Sequence, residues 1–200
     1  MIDDPLELRF IERLRARDER AFNDLVRLYE RRVFSLLLRL VGRRDEAEDL
    51  AQEVVVQVFK AIGGFRGDSK LSTWVFRIAV NLSKNRTKYL ARRRTDSRDD
   101  LDGVSDDGHP LVSTGRTSGE VERPDDLVSG MQLELIVERA IAALEPEFRE
   151  VLVLRDVEEL TYDEIAEITG LADGTVKSRI HRARLQLRDA VERATGEKIG

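Results

Sequence analysis

Cysteine is absent from this 200-residue chain, and His109 and His181 are its only histidines. That excludes a disulfide framework and a cysteine-based zinc site, and it makes the reducing cytosol the natural home. Long apolar runs are missing too. No stretch approaches the ~20 residues that span a bilayer, and the opening MIDDPLELRF lacks a charged-then-apolar signal layout, so no membrane insertion is expected. There is no GxxxxGK[ST] phosphate loop, no cluster of metal ligands and no nucleophile with a partnered histidine, so the chain reads as a non-enzyme without metal or cofactor. Strand alternation hardly occurs. With 41% hydrophobic and 36% charged residues, the chain is expected to be all-α: two small helical domains, 1–94 and 131–195, joined by a flexible acidic linker at 95–130.

A net charge of −5 hides a strong segregation. Residues 95–126 hold ten acids against Arg98, Arg116 and Arg123, a balance of −7, which leaves +2 for everything else. The overall acidity therefore says little about the potential of any one face.

In the first half, Asp4-Pro5 and Asp18 are helix-opening signals, and the apolar face that follows Asp18 ends at Gly42. A third helix is expected from Asp45, with Glu48 as capping-box partner, to Ile62. Its first half carries Asp45, Glu46, Glu48, Asp49 and Glu53 and no base. Acids near a helix start complement the dipole, which accounts for about two of these. The stripe Asp45, Asp49 and Gln52 extends further and marks a docking surface for a basic partner. After Gly63-Gly64 comes the loop Phe65, Arg66, Gly67, Asp68, Ser69, Lys70, Leu71, with Ser69 or Ser72 placed to cap the next helix. That helix is expected from Thr73 to about Arg94, with Trp74 in the core. Arg77, Asn81, Lys84 and Lys88 share one side, and seven basic residues without an acid lie between positions 77 and 94, the pattern of a nucleic-acid-binding face.

Residues 161–191 read as two helices joined by a tight turn. Thr161 and Glu164 form a capping box, and Gly170 supplies the turn. In the second helix, Val176, Ile180, Ala183, Leu187 and Val191 recur on one side, and positions 175–188 contain no acid at all. An ordinary solvated helix would intersperse acids for pairing. Thr175, Lys177, Ser178, Arg179, His181 and Arg182 are instead placed as a recognition surface for the major groove.

The segments DEAEDLAQEVVVQVF, FRGDSKLSTWVFRIAVNLSKN and LEPEFREVLVLRDVEELTYDEIAEITGLADGTVKSRIHRAR occur in this order. Together they resemble the successive regions of an extracytoplasmic-function sigma factor of bacterial RNA polymerase. The resemblance implies that Asp45, Glu46, Asp49, Gln52 and Glu53 bind core polymerase. It implies that Phe65 to Leu71, Arg77, Asn81, Lys84, Asn85 and Lys88 meet single-stranded minus-ten DNA. Thr175, Lys177, Ser178, Arg179, His181 and Arg182 would meet duplex minus-thirty-five DNA, with His181 where the family often has an aromatic residue. It further implies control by an anti-sigma factor. Weak binding of free promoter DNA is expected, because neither basic face alone is large.

Three rivals are weaker. A two-domain helix-turn-helix regulator would need an alternating strand-helix receiver at the start, and none is legible. A phosphate-loop enzyme is suggested only superficially by residues 63–70, where the serine precedes the lysine. A polymerase inhibitor that ignores DNA is at odds with two basic faces.

Overall fold

The computed structural model describes residues 4–96 and 124–198, and among these there is no strand. Part of the expected linker, 97–123, lies outside the described residues. Among the described residues eight α-helices follow one another: α1 (Pro5–Arg15), α2 (Glu19–Val41), α3 (Arg44–Ala61), α4 (Leu71–Asp96), α5 (Pro124–Ala143), α6 (Pro146–Leu152), α7 (Tyr162–Thr169) and α8 (Asp173–Thr195). A 3₁₀ turn (Ile62–Gly64) follows α3, and a π-helical turn (Val153–Val157) continues α6. The helix α5 begins at Pro124, seven residues before the expected domain start at Met131.

Most helix ends obey local chemistry. Asp4 accepts from the Leu6 N–H, and Asp18 from the Arg20 and Ala21 N–H groups. Gly42, at φ 76°, closes α2 in the left-handed conformation that a side chain resists. Two expectations fail. Asp45 does not open α3 through a capping box. The N-cap is Arg43, and its guanidinium instead holds the Asp45 carboxylate at 2.6 Å. Neither serine caps α4. Glu7 reaches across from α1 and accepts from the Leu71 N–H at 2.8 Å, so a long-range carboxylate does the work of a cap.

The first half is a bundle in which α2 packs on α3 and α4, burying Leu25, Val33, Leu36, Leu37, Leu50, Val54, Val58, Val75 and Ala79. Trp74 is core, with its ring 4.9 Å from that of Phe65. Phe59 is about half exposed: its ring forms a tilted pair with that of Phe22 at 4.8 Å, and the Arg17 guanidinium lies over it at 4.3 Å. Leu28 and Leu133 are also exposed.

The second half builds its core from Ala140, Ile141, Phe148, Val151, Leu154, Ile165, Ile168, Val176, Ile180 and Ala183. It is docked on the first. One contiguous apolar cluster runs through both, with α7 against α4 and the π-helical turn against α2. Arg32 of α2 holds Glu158 at 3.2 Å and lies over the Phe76 ring at 4.9 Å. Arg149 of α6 donates to the carbonyls of Leu40 at 3.1 Å and Leu144 at 2.8 Å, and to that of Ala142.

Burial pushes the carboxyls of Glu150 and Glu158 above their ordinary 4.5, with Lys84 and Arg32 pulling them only part of the way back. Such groups bind more protons folded than unfolded. Their contribution is fully present below about pH 4.5 and is lost as the pH rises through the raised values. Asp18 and Asp45 run the other way: bonded to Arg13 and Arg43, they are held below 3.8 and lose their contribution only as the pH falls through that lower range. A Tm series from neutral pH downward is therefore expected to rise as the Glu150 and Glu158 carboxyls take up protons, and then to fall in stronger acid as Asp18 and Asp45 are protonated. A Tm that is flat or falling over the upper part of that range counts against it.

Candidate functional site

Three exposed surfaces carry the charge patterns singled out above, and the fold settles which members of each are free to meet another molecule. On α3, alternate turns bury Ala47, Leu50 and Val54, which leaves Asp45, Glu48, Asp49 and Gln52 exposed, with Glu53 half-buried beside them. Asp45 is bonded to Arg43, which lowers its pKa, and Glu48 is paired with Arg44 at 2.8 Å. Glu46 points the other way. It is bonded to Arg86 on α4, with only 14% of its side chain exposed, so it ties two helices of the bundle together. Asp49 and Gln52 remain the outward-facing centre of the stripe.

The loop before α4 divides in a way that sequence alone did not show. Phe65, Ser69 and Leu71 are buried and anchor it: Phe65 packs on Trp74, and its carbonyl accepts from Arg15. Arg66, Asp68 and Lys70 point outward around Gly67, whose φ of 81° favours glycine. Arg66 and Asp68 pair at 3.2 Å. A rim of polar groups on an apolar base results.

Along α4, Asn81, Asn85 and Lys88 are exposed, and Arg77 and Lys84 are half-buried on the same helix. Both half-buried cations are engaged by the second half of the chain: Arg77 with Glu167 of α7 at 3.4 Å, and Lys84 with Glu150 of α6 at 2.9 Å. Lys70 is likewise paired with Glu164 of α7 at 2.9 Å, and this contact raises its pKa. No local signal announced these acids as partners of α4. Glu164 was legible only as the capping-box residue, which it also is.

The helices α7 and α8 form the expected helix-turn-helix. The capping box of Thr161 and Glu164 is complete, and Gly170 turns the chain at φ 73°. Val176, Ile180 and Ala183 are buried, so Lys177, Ser178, His181 and Arg182 face outward, with Thr175 and Arg179 half-buried at the edges. Ser178 donates back to the Thr175 carbonyl at 3.0 Å. Arg179 is steadied by Glu147 at 2.9 Å, and Lys177 sits 5.7 Å from the Tyr162 ring. The acid-free run does not stay unpaired along its length. Arg184 is bonded to Asp156, which raises its pKa, and Arg188 pairs with Asp189 at 3.0 Å. The open cationic surface is thus the N-terminal half of α8, the part that reaches base edges in a helix-turn-helix.

No described helix is long and apolar enough to cross a membrane. Residues 25–98 match the family model described as Sigma-70 region 2, and residues 134–187 the one described as Sigma-70, region 4. The RNA polymerase sigma-H factor of Pseudomonas aeruginosa is 34% identical, with 97% of this chain and 96% of that protein covered. The ECF RNA polymerase sigma-E factor of Escherichia coli is 37% identical, with 91% and 92% covered. Among solved structures, the sigma factor RpoE of Bartonella quintana, in complex with the anti-sigma factor NepR, is 25% identical. It aligns with a TM-score of 0.59 over 86% of this chain and 96% of that one. CnrH, in complex with the cytosolic domain of CnrY, shares the fold at a TM-score of 0.65 and 20% identity, over 93% and 97% of the two chains.

Proposed function

We propose a division of labour among these surfaces, starting from the fact that the chain belongs to the extracytoplasmic-function sigma factors of bacterial RNA polymerase and is a transcription initiation factor, not an enzyme. The exposed centre of α3, Asp49 and Gln52 with Asp45, Glu48 and Glu53 around it, binds a basic surface of core polymerase. Glu46 supports that surface from behind through Arg86. The rim of Arg66, Gly67, Asp68 and Lys70, with Arg77, Asn81, Lys84, Asn85 and Lys88 of α4, takes the opened minus-ten strand. Phe65, Ser69 and Leu71 hold that rim in shape from the core. The N-terminal half of α8 enters the duplex at the minus-thirty-five element. The chain works in the cytoplasm, where the polymerase is, and an anti-sigma partner restrains it.

The observation that carries this reading is the separation of charge onto different faces of one small fold: acids outward on α3, bases on α4 and on the N-terminal half of α8. An open complex needs both kinds of contact, one to a protein and one to phosphates and bases. Reconstitution tests it directly: purified chain and core polymerase are assayed for open-complex formation on candidate promoters. Failure to bind core polymerase sinks the reading, whatever the DNA affinity. Arg182→Ala is expected to weaken recognition of the minus-thirty-five element by about 1–3 kcal/mol if Arg182 grips a base edge, with specificity relaxed at one position. A uniform loss across sequences would make it a phosphate contact instead.

A further inference from the structure

The loop from Phe65 to Leu71 is held at both ends by one distant helix. Glu7 of α1 accepts from the Leu71 N–H at 2.8 Å. Arg15, in the last turn of the same helix, donates to the Phe65 carbonyl. Arg17, just beyond it, donates to the Phe59 carbonyl near the end of α3. Between these contacts, buried Ile11 and Leu14 seat α1 on the bundle. We propose that α1 is a clasp for the minus-ten rim: Glu7 and Arg15 are positioning residues that fix the two ends of the loop, so that Arg66, Gly67, Asp68 and Lys70 are in place before a base of the opened strand arrives. The proposal rests on the reading of this loop as a contact of the minus-ten strand. It gives a part in strand capture to a helix that lies wholly before the matched span 25–98.

The charge of Glu7 points to geometry as its contribution. Lys70 feels that charge: its pKa is raised first by Glu164 and in smaller part by Glu7. An acid beside a surface meant for a polyanion opposes binding through its charge, so any gain from Glu7 comes through the shape it imposes. The loop has no local substitute for it. Lys70 stands at the N-cap of α4, where its carbonyl accepts from the Trp74 N–H at 3.1 Å, but its ammonium has no acceptor to offer the first helical N–H groups.

At the other end Phe65 is fixed on three sides. Its ring lies against Trp74, its N–H donates to the Ile62 carbonyl at 3.2 Å, and its carbonyl accepts from Arg15. The rim between the anchors has little of its own to hold it: Arg66 and Asp68 are 84% and 77% exposed, and Gly67 lies between them. Ordering one backbone residue shifts an equilibrium roughly 5- to 30-fold, so a loop ordered in advance by α1 binds a strand more tightly than one that the strand itself must order.

The test uses the full chain assembled with core polymerase, and a promoter fragment mismatched over its minus-ten segment so that the strands are open from the start. Glu7→Ala and Arg15→Ala are each expected to weaken binding of this fragment roughly tenfold, the worth of one hydrogen bond to a charged group, with core polymerase bound as before. Glu7→Gln and Arg15→Lys, which keep an acceptor and a donor, should recover most of the loss. Arg9→Ala and Glu12→Ala, which remove the same charges from exposed sites of α1, should leave binding as it is. Fragments with a single abasic site, moved along the non-template strand, separate positioning from stability. The natural chain is expected to lose most at one site, and in the two alanine variants that loss shrinks severalfold while the others stay, because only the base on the rim depends on the shape of the loop. Unchanged affinity, a loss spread evenly along the strand, or glutamine no better than alanine at position 7 overturns the proposal. The reading of the loop is checked separately by Arg66→Ala and Lys70→Ala. If neither alters the abasic profile, the loop is not a strand contact and the clasp falls with it. If they alter it and the α1 variants do not, the clasp alone is wrong.

Discussion

Asp49→Lys combined with Gln52→Lys is expected to lower affinity for core RNA polymerase by about a hundredfold or more, measured by titration of labelled chain with core enzyme. Setting like charges against each other across an interface costs several kcal/mol, and about 2.7 kcal/mol already makes a factor of a hundred. Both positions are exposed on the middle turns of α3, and among the described residues no ion pair or hydrogen bond holds either side chain within the chain. Lysine suits a helix interior, so the helix content and Tm should stay as they are. The contrast with Glu46 sharpens the result. Glu46→Lys would strand Arg86 and disturb α4, so its loss of binding would come with a loss of stability. A charge-reversed α3 that binds core polymerase normally would remove α3 from the docking surface.

The largest stability effect is expected at Arg149. Its guanidinium serves two helix ends at once, donating to Leu40 in the last turn of α2 and to Ala142 and Leu144 at the end of α5. Those carbonyls have no partner inside their own helices, and they sit at the negative end of each helix dipole. Burial pushes the Arg149 pKa down, a sign that the charge is held in poor solvent. Arg149→Ala removes the donors and leaves three acceptors facing a void, so unfolding should become easier by about 3–5 kcal/mol in a denaturant titration. Arg149→Lys should recover only part of this, since a point charge cannot fork between two helix ends. A loss below about 1 kcal/mol would mean that water replaces the guanidinium without strain.

The sequence was most readable where the chemistry is local. The caps at Asp4, Asp18 and Thr161 and the stops at Gly42 and Gly170 each depend on groups a few residues apart, and each stands as expected. The buried face of α8 followed from spacing alone. What failed depends on residues far apart. Glu7 caps α4 across 64 residues, and this displaced the serines that stood closer. Phe65 and Leu71 look like loop residues until Trp74 and α1 close over them. The expected surface of α4 was read from its bases without the acids of α6 and α7, which no periodicity connects to it. Arg149 gave no sign of its role, because only the folded chain brings two helix ends within its reach.

The order of synthesis gives that docking a time axis. Lys70 and Glu164 are 94 residues apart in the chain, and Arg77 and Glu167 are 90 apart. At ~5–20 residues per second, the acids leave the ribosome roughly 5–20 s after the cations they cover. Helical bundles with local contacts assemble far faster than that. Every newly made molecule therefore passes through an interval in which the first domain is complete and its basic helix has no acid from the second domain to meet.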